Sequence, residues 1–245
     1  MIRLRLLVIA AFLTLICSAS VKAEPGRIRH VVMIVADDMG YADTGVTGAG
    51  DFRTPHLDSI ATGGVRLTRA YVTAAVCSPS RAGFLTGRYQ QRFGHENNGS
   101  GPPPFGLPLT ERTMADHFKA AGFATGLVGK WHLGEVDGYH PLDRGFDEFV
   151  GHLRGGHGYF PESDRNARRG DVGKIQRGRE VAQWDQYLTT FFGESSVDFI
   201  ERHADEPFFL YLSFNAPHTP LEAREEDLAR VAHIADESRR TYAAM

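Results

Sequence analysis

Three apolar runs constrain this chain more than anything else in it: His30 to Ala36, Phe123 to Val128, and Phe208 to Phe214. The first is continuous and rich in valine, which predicts a strand covered on both faces in a parallel sheet. Helical stretches lie between the runs. Thr54-Pro55 starts a short helix, with threonine as cap, proline in the first turn, and Leu57 and Ile60 on one face. Thr110 to Ala121 carries Met114, Phe118 and Ala121 at helical spacing and stops at Gly122. Leu188 to His203 is a further helix, with Val197 and Ile200 expected to face inward. Strands alternating with helices predict an α/β fold with a mostly parallel sheet.

Each run releases polar residues just past its carboxyl end, where open α/β sheets bind ligands. Asp37-Asp38 follow the first, Gly129-Lys130-Trp131-His132 the second, and Asn215-Ala216-Pro217-His218 the third. Gly151 to Gly178, rich in glycine, arginine and histidine, is expected as a long loop at the rim of that site. Arg154, His157, Arg165, Arg168 and Arg169 are placed there, either to meet a polyanionic glycan or simply as solvated charge; His140, His152 and His157 have no assigned role.

Residues 1–23 have the pattern of a secretory signal peptide: Arg3 and Arg5, an apolar run from Leu6 to Ile16, and a small-residue cleavage pattern at Val21-Lys22-Ala23. Cys17 follows Ile16, whereas a lipidated cysteine normally follows a small residue. Cleavage after Ala23 leaves residues 24–245 as one exported domain in the periplasm or outside the cell, without a second apolar run long enough to span a bilayer. The formal charge of −3 becomes −6 once Arg3, Arg5 and Lys22 leave with the segment, so nothing global favours nucleic acid, and an anionic substrate must be held locally. Glu225 to Met245 has helical character with no glycine or proline stop, so the chain is expected to be the N-terminal part of a longer protein.

Cys77 would be the only cysteine left after cleavage, in a compartment where cysteines normally pair. It opens Cys77-Ser78-Pro79-Ser80-Arg81. A helix starting there would turn free N–H groups toward an anion or thiolate, and Arg81 one turn on would reinforce this. The adjacent aspartates suit a hard divalent cation or, equally, a turn or helix cap. Lys130 and His132 read either as a charge for an anionic ester and a proton carrier, or as a surface lysine and a core histidine. His218, between two prolines, is ambiguous by itself. From the residues alone the candidates are a thiol enzyme, a metal-dependent ester hydrolase, and a buried cysteine in an inert fold.

At these residues the chain resembles the sulfatase family, in which the cysteine of C-x-P-x-R becomes Cα-formylglycine. Cys77, Pro79 and Arg81 match, as do Leu85-Thr86-Gly87; Gly122 to His132 matches a second signature, with Phe123 where tyrosine or valine is usual. Asp37-Asp38-Met39-Gly40 is similar to the first metal motif and Ala216-Pro217-His218-Thr219-Pro220 to the segment carrying an active-site histidine. The resemblance implies an alkaline-phosphatase-like α/β sandwich and hydrolysis of a sulfate monoester of a carbohydrate or aryl alcohol. It implies Ca²⁺, or less often Mg²⁺, on Asp37, Asp38 and the modified Cys77. One hydroxyl of the hydrated aldehyde attacks sulfur, and the other drives sulfate release after giving its proton to His132. It further implies that Arg81 orients position 77, that Lys130 contacts sulfate and nucleophile, and that His218 binds sulfate or protonates the leaving group. A formylglycine-generating enzyme is the implied maturation partner. The family's remaining metal ligands and a second lysine come from sequence past residue 245, so the 245 residues alone are expected not to turn over substrate. The rival readings are a phosphonate or phosphate ester hydrolase of the same superfamily and a non-catalytic exported binding protein or pseudoenzyme.

Overall fold

The computed structural model describes residues 28–99, 105–163 and 173–245. The leader segment and Arg165, Arg168 and Arg169 lie outside the described residues. Six strands form one sheet in the order β1-β6-β2-β3-β4-β5: β1 (His30–Val35), β2 (Ala124–Lys130), β3 (Glu148–His152), β4 (Gln176–Arg177), β5 (Glu180–Val181) and β6 (Phe208–Ser213). The pairs β1–β6, β6–β2 and β2–β3 are parallel, and β4 and β5 add antiparallel at the far edge. All three apolar runs are therefore strands. They are also neighbours, with His30 beside Phe208 and Phe208 beside Ala124.

The two faces of the sheet follow the two-residue period of its strands. On one face Phe209 and Tyr211 of β6 and Leu127 of β2 pack with helices α2 (Cys77–Thr86) and α3 (Met114–Ala120). On the other, Phe208, Leu210 and Leu212 pack with Leu188, Phe192 and Phe199 of α4 (Leu188–Arg202). Helix α3 starts at a capping box in which Thr113 and Asp116 exchange side-chain and backbone hydrogen bonds. Its chain then turns at Gly122, φ 83°.

Three expectations need correction. Strand β1 is not covered on both faces: it forms the edge beyond β6, and α4 lies over β2, β3 and β6 without reaching it, so Val32 and Ile34 are 41% and 50% exposed. Val197 points outward at 53% exposure. The inward stripe of α4 is instead Leu188, Phe192, Ser195, Ser196 and Phe199, with the Ser196 hydroxyl donating back to the Phe192 carbonyl at 2.8 Å. Gly151 to Gly178 is not one loop, since Gly151 and His152 end β3 and Gln176-Arg177 form β4. Its histidines are wall rather than rim: His152 and His157 are buried, with ring centroids 5.2 Å apart.

Helix α1 (Pro55–Gly63) follows the Thr54-Pro55 signal, although Thr54 Oγ1 donates to Asp58 Oδ1 at 3.0 Å instead of capping, and Leu57 and Ile60 are exposed. The end of the chain forms two short helices, α5 (Glu225–Arg230) and α6 (Glu237–Ala244).

Candidate active site

Adjacent parallel strands stand about 4.8 Å apart, so the carboxyl ends of β1, β6 and β2 open within about 10 Å of one another. The ladder continues past them: Phe214 N–H donates to the Val35 carbonyl at 2.9 Å and Asp37 N–H to the Ala216 carbonyl at 3.0 Å. Those bonds tie the aspartate of one strand end to the loop that carries His218. Helix α2 begins at Cys77 on the same edge, with extended Val76 before it.

Asp37 is the hub. Its carboxylate accepts from Lys130 Nζ and lies 3.3 Å from Arg81 Nη2, with the aspartate and arginine side chains 7% and 3% exposed. Burial alone would push the Asp37 carboxyl up, but Arg81 and then Lys130 outweigh it and hold the group below the usual aspartate range. Lys130 is fully buried, and desolvation followed by the nearby Arg81 draws its ammonium below the ordinary lysine value.

Arg81 reaches inward from the helix and donates through Nη1 to the Lys130 carbonyl (3.0 Å), Tyr211 Oη (3.0 Å) and Ser213 Oγ (2.5 Å). Ser213 Oγ in turn donates to the Lys130 carbonyl at 2.7 Å. The guanidinium is thereby locked to the end of β6, which a lysine with its single point of charge could not do.

Cys77 Sγ, an Asp37 oxygen and a His218 ring nitrogen all lie within 4.8 Å of one another. A hydrogen bond with His218 lowers the Cys77 thiol pKa, and the same bond raises the His218 imidazole. His218 Nδ1–H donates to the Thr219 carbonyl at 2.6 Å, while Nε2 stands 3.7 Å from Asp38 Oδ2. Asp38 lies outside the three-residue group, with its side chain 60% exposed and its backbone at φ 65°. His132, also left-handed at φ 58°, does not continue the extended segment of Lys130. Burial, then Lys130 and Arg81, push its imidazole down to about 3, so it is neutral.

Asp37, Cys77, Arg81, Lys130 and His218 are thus brought into one group, with His132 and Asp38 at its margin. Arg154 instead pairs with Glu135 at 2.7 Å. His140 bonds Gln176 and the Leu142 amide, and His152 bonds the Arg154 carbonyl. Tyr211 and Ser213, which hold Arg81, were not singled out in the sequence. Their signal was present, because Phe209, Tyr211 and Ser213 are two apart and share the face toward α2.

Whether this group suits a hard cation is decided by its donor atoms. Thiol sulfur and imidazole nitrogen favour softer metals, and calcium or magnesium needs oxygen. Asp37 is ionised and Asp38 is open to solvent, so the set becomes oxygen-rich once the atom at position 77 is oxygen rather than sulfur. With that change the residues fit.

The architecture is that of an α/β protein with its ligand edge at the carboxyl ends of parallel strands, arranged around a buried carboxylate and two cations. Among known proteins it has clear kin: the Sulfatase family profile matches residues 29–245, and the chain belongs to that family. It is 35% identical over 223 residues to arylsulfatase J of Mus musculus, covering 88% of this chain and 37% of that protein. It is also 35% identical over 213 residues to N-acetylgalactosamine-6-sulfatase of Homo sapiens, covering 79% of this chain and 40% of that one. The crystal structure of Ps i-CgsB superposes with a TM-score of 0.84 at 36% identity, covering 89% of this chain and 52% of the solved one. The fold is the alkaline-phosphatase-like fold of the sulfatases, and the chain spans about half or less of these relatives' lengths.

Proposed function

We propose that this chain carries the nucleophile-bearing part of an exported sulfate monoester hydrolase acting on a sulfated carbohydrate or aryl sulfate. The reading rests on one observation above the others: Cys77 stands at a helix start within 4.8 Å of both Asp37 and His218, beside two buried cations. A further support is the crystal structure of Ps i-CgsB in complex with k-i-k-neocarrahexaose, 35% identical with a TM-score of 0.84.

In this reading Cys77 is converted to formylglycine by a formylglycine-generating enzyme, and Asp37 and Asp38, with the new oxygen at position 77, would hold Ca²⁺ or Mg²⁺. A metal held there would supply Lewis acidity. Arg81 and Lys130 keep Asp37 anionic, and Lys130 places its charge against a sulfate at the helix start. His218, whose imidazole is raised toward the protonated form, delivers a proton from Nε2 to the ester oxygen as the alcohol departs. His132 is neutral and has a ring nitrogen, Nδ1, buried without a hydrogen-bond partner; it is the base that takes the proton when sulfate is released.

The deciding experiment is intact mass of the tryptic peptide containing Cys77 from protein co-expressed with a formylglycine-generating enzyme. A peptide about 18 Da lighter than the cysteine form is expected, from the loss of sulfur and two hydrogens and the gain of oxygen. A peptide that remains wholly cysteine sinks the reading in favour of a binding protein or pseudoenzyme. Parallel rates of the full-length protein on aryl sulfate and aryl phosphonate esters then separate sulfatase from phosphonate hydrolase.

A further inference from the structure

His132 sits at φ 58°, a region that residues with a β-carbon rarely occupy and keep only when their surroundings over-determine it. Both of its peptide groups are held. Its N–H donates to the Leu153 carbonyl at 3.0 Å, and its own carbonyl accepts from Ser78 Oγ at 2.7 Å. Ser78 Oγ also lies 2.7 Å from His95 Nε2, and the Ser78 N–H donates to Asn98 Oδ1 at 3.0 Å. A carbonyl can only accept, so the Ser78 hydroxyl is the donor to the His132 carbonyl; the His95 ring, which also bonds the Gly106 backbone, meets Ser78 Oγ through Nε2.

The three groups form a chain of contacts from the His95 ring through the Ser78 hydroxyl to the His132 carbonyl. Ser78 and His95 are 3% and 2% exposed, so water does not compete for these bonds. The His132 ring is held from its other side by Gly155, where a β-carbon would come within 2.4 Å of Cε1. Nothing in the catalytic reading uses His95, and Ser78 enters it only as the residue following Cys77.

We infer that Ser78 and His95 are positioning residues: they clamp the backbone of His132 in its left-handed conformation and so hold its imidazole against Gly155, facing the Lys130–Asp37–His218 group. The catalytic importance of that placement rests on the sulfatase reading above; the placement itself does not. Ser78, in the first turn of the nucleophile's helix, thus also sets the backbone of the base. Any side chain at 95 that offers no polar atom to Ser78 Oγ removes one of the contacts that fix the Ser78 hydroxyl.

The test is a nuclear Overhauser contact between the His132 ring protons and the Gly155 α-protons, measured in wild type, S78A, H95L and S78T. The contact is expected in wild type and in S78T, which keeps the hydroxyl, and is expected to be lost in S78A and H95L. A folded S78A or H95L protein that retains the contact at wild-type strength overturns the clamp. Full-length protein with position 77 verified by mass supplies a second readout: S78A should lose about 100-fold in kcat for an aryl sulfate, with KM within about twofold. Wild-type kcat in S78A also overturns the proposal. If the verified full-length protein cleaves no sulfate ester but the contact follows the expected pattern, the sulfatase reading fails and the clamp stands.

Discussion

Arg81 joins the helix that starts at Cys77 to the ends of three strands, through Asp37, Tyr211, Ser213 and the Lys130 carbonyl. Removing one partner of a buried ion pair leaves an uncompensated charge, which typically costs about 3–5 kcal/mol. Arg81→Ala is accordingly expected to lower unfolding free energy by roughly that amount in urea titration, with Lys130 still present to hold Asp37 in part. A loss of less than about 1 kcal/mol would mean the guanidinium is dispensable to the fold. Arg81→Lys should recover little, because Nη1 alone serves three acceptors that an ammonium cannot reach in that geometry.

Among the elements, β2 shows how closely the strands must approach to bring the site together. Gly129 has φ 110°, and a β-carbon on it would lie 1.9 Å from the Ser213 carbonyl oxygen, which is backbone and cannot swing aside. Gly129→Ala should therefore separate the carboxyl ends of β2 and β6 and cost about 1–3 kcal/mol or more. Circular dichroism melts of the variant check this, and an unchanged midpoint would show that the strand end is slack. The strands themselves were legible in sequence because apolar runs with polar exits are a strong local pattern. The covering of β1 was not, since an edge strand and a central one share composition and differ only in what packs on them. Helix α4 departs for a different reason: Ser195 and Ser196 occupy inward positions, and the Ser196 hydroxyl is satisfied there by its own helix backbone. Apolar spacing alone then picked out Val197 on the wrong side.

For the molecule as a whole, acid stability is governed by histidines that are buried neutral. Burial is the leading cause that draws His95, His140 and His152 below the ordinary histidine value of about 6.5. A depressed pKa means the unfolded chain takes up a proton that the folded chain refuses. The stability these groups allow is thus intact above about pH 6.5 and is lost as pH falls below it, by about 1.4 kcal/mol per pH unit for each group titrating only when unfolded. His203 works in the opposite sense: burial would lower it, but the hydrogen bonds its ring donates to Glu148 and Glu206 raise it, so its contribution is full below about pH 6.5 and fades as pH rises. With His132 also depressed and His218 also raised, four groups against two predict a net fall in urea midpoint between pH 7.5 and pH 5, reduced in His152→Leu. A flat profile over that range would contradict the burial of these rings. Their roles could not be read from sequence, where a histidine in a glycine-rich stretch looks the same whether it lines a rim or fills a wall.

The burial around position 77 also fixes an order of events during biosynthesis. Ser78, Pro79 and Arg81 are all buried in α2, and Ser78 and Arg81 are additionally bonded to residues more than 50 positions away. An enzyme that recognised Cys77 through those neighbours would find them inaccessible in the finished protein. Modification of the cysteine, as proposed, therefore has to happen while the chain is still extended, and a molecule that folds first is committed to keeping its thiol. The active fraction in a preparation would then record a race between folding and maturation, set by how fast β6 arrives to close over Arg81.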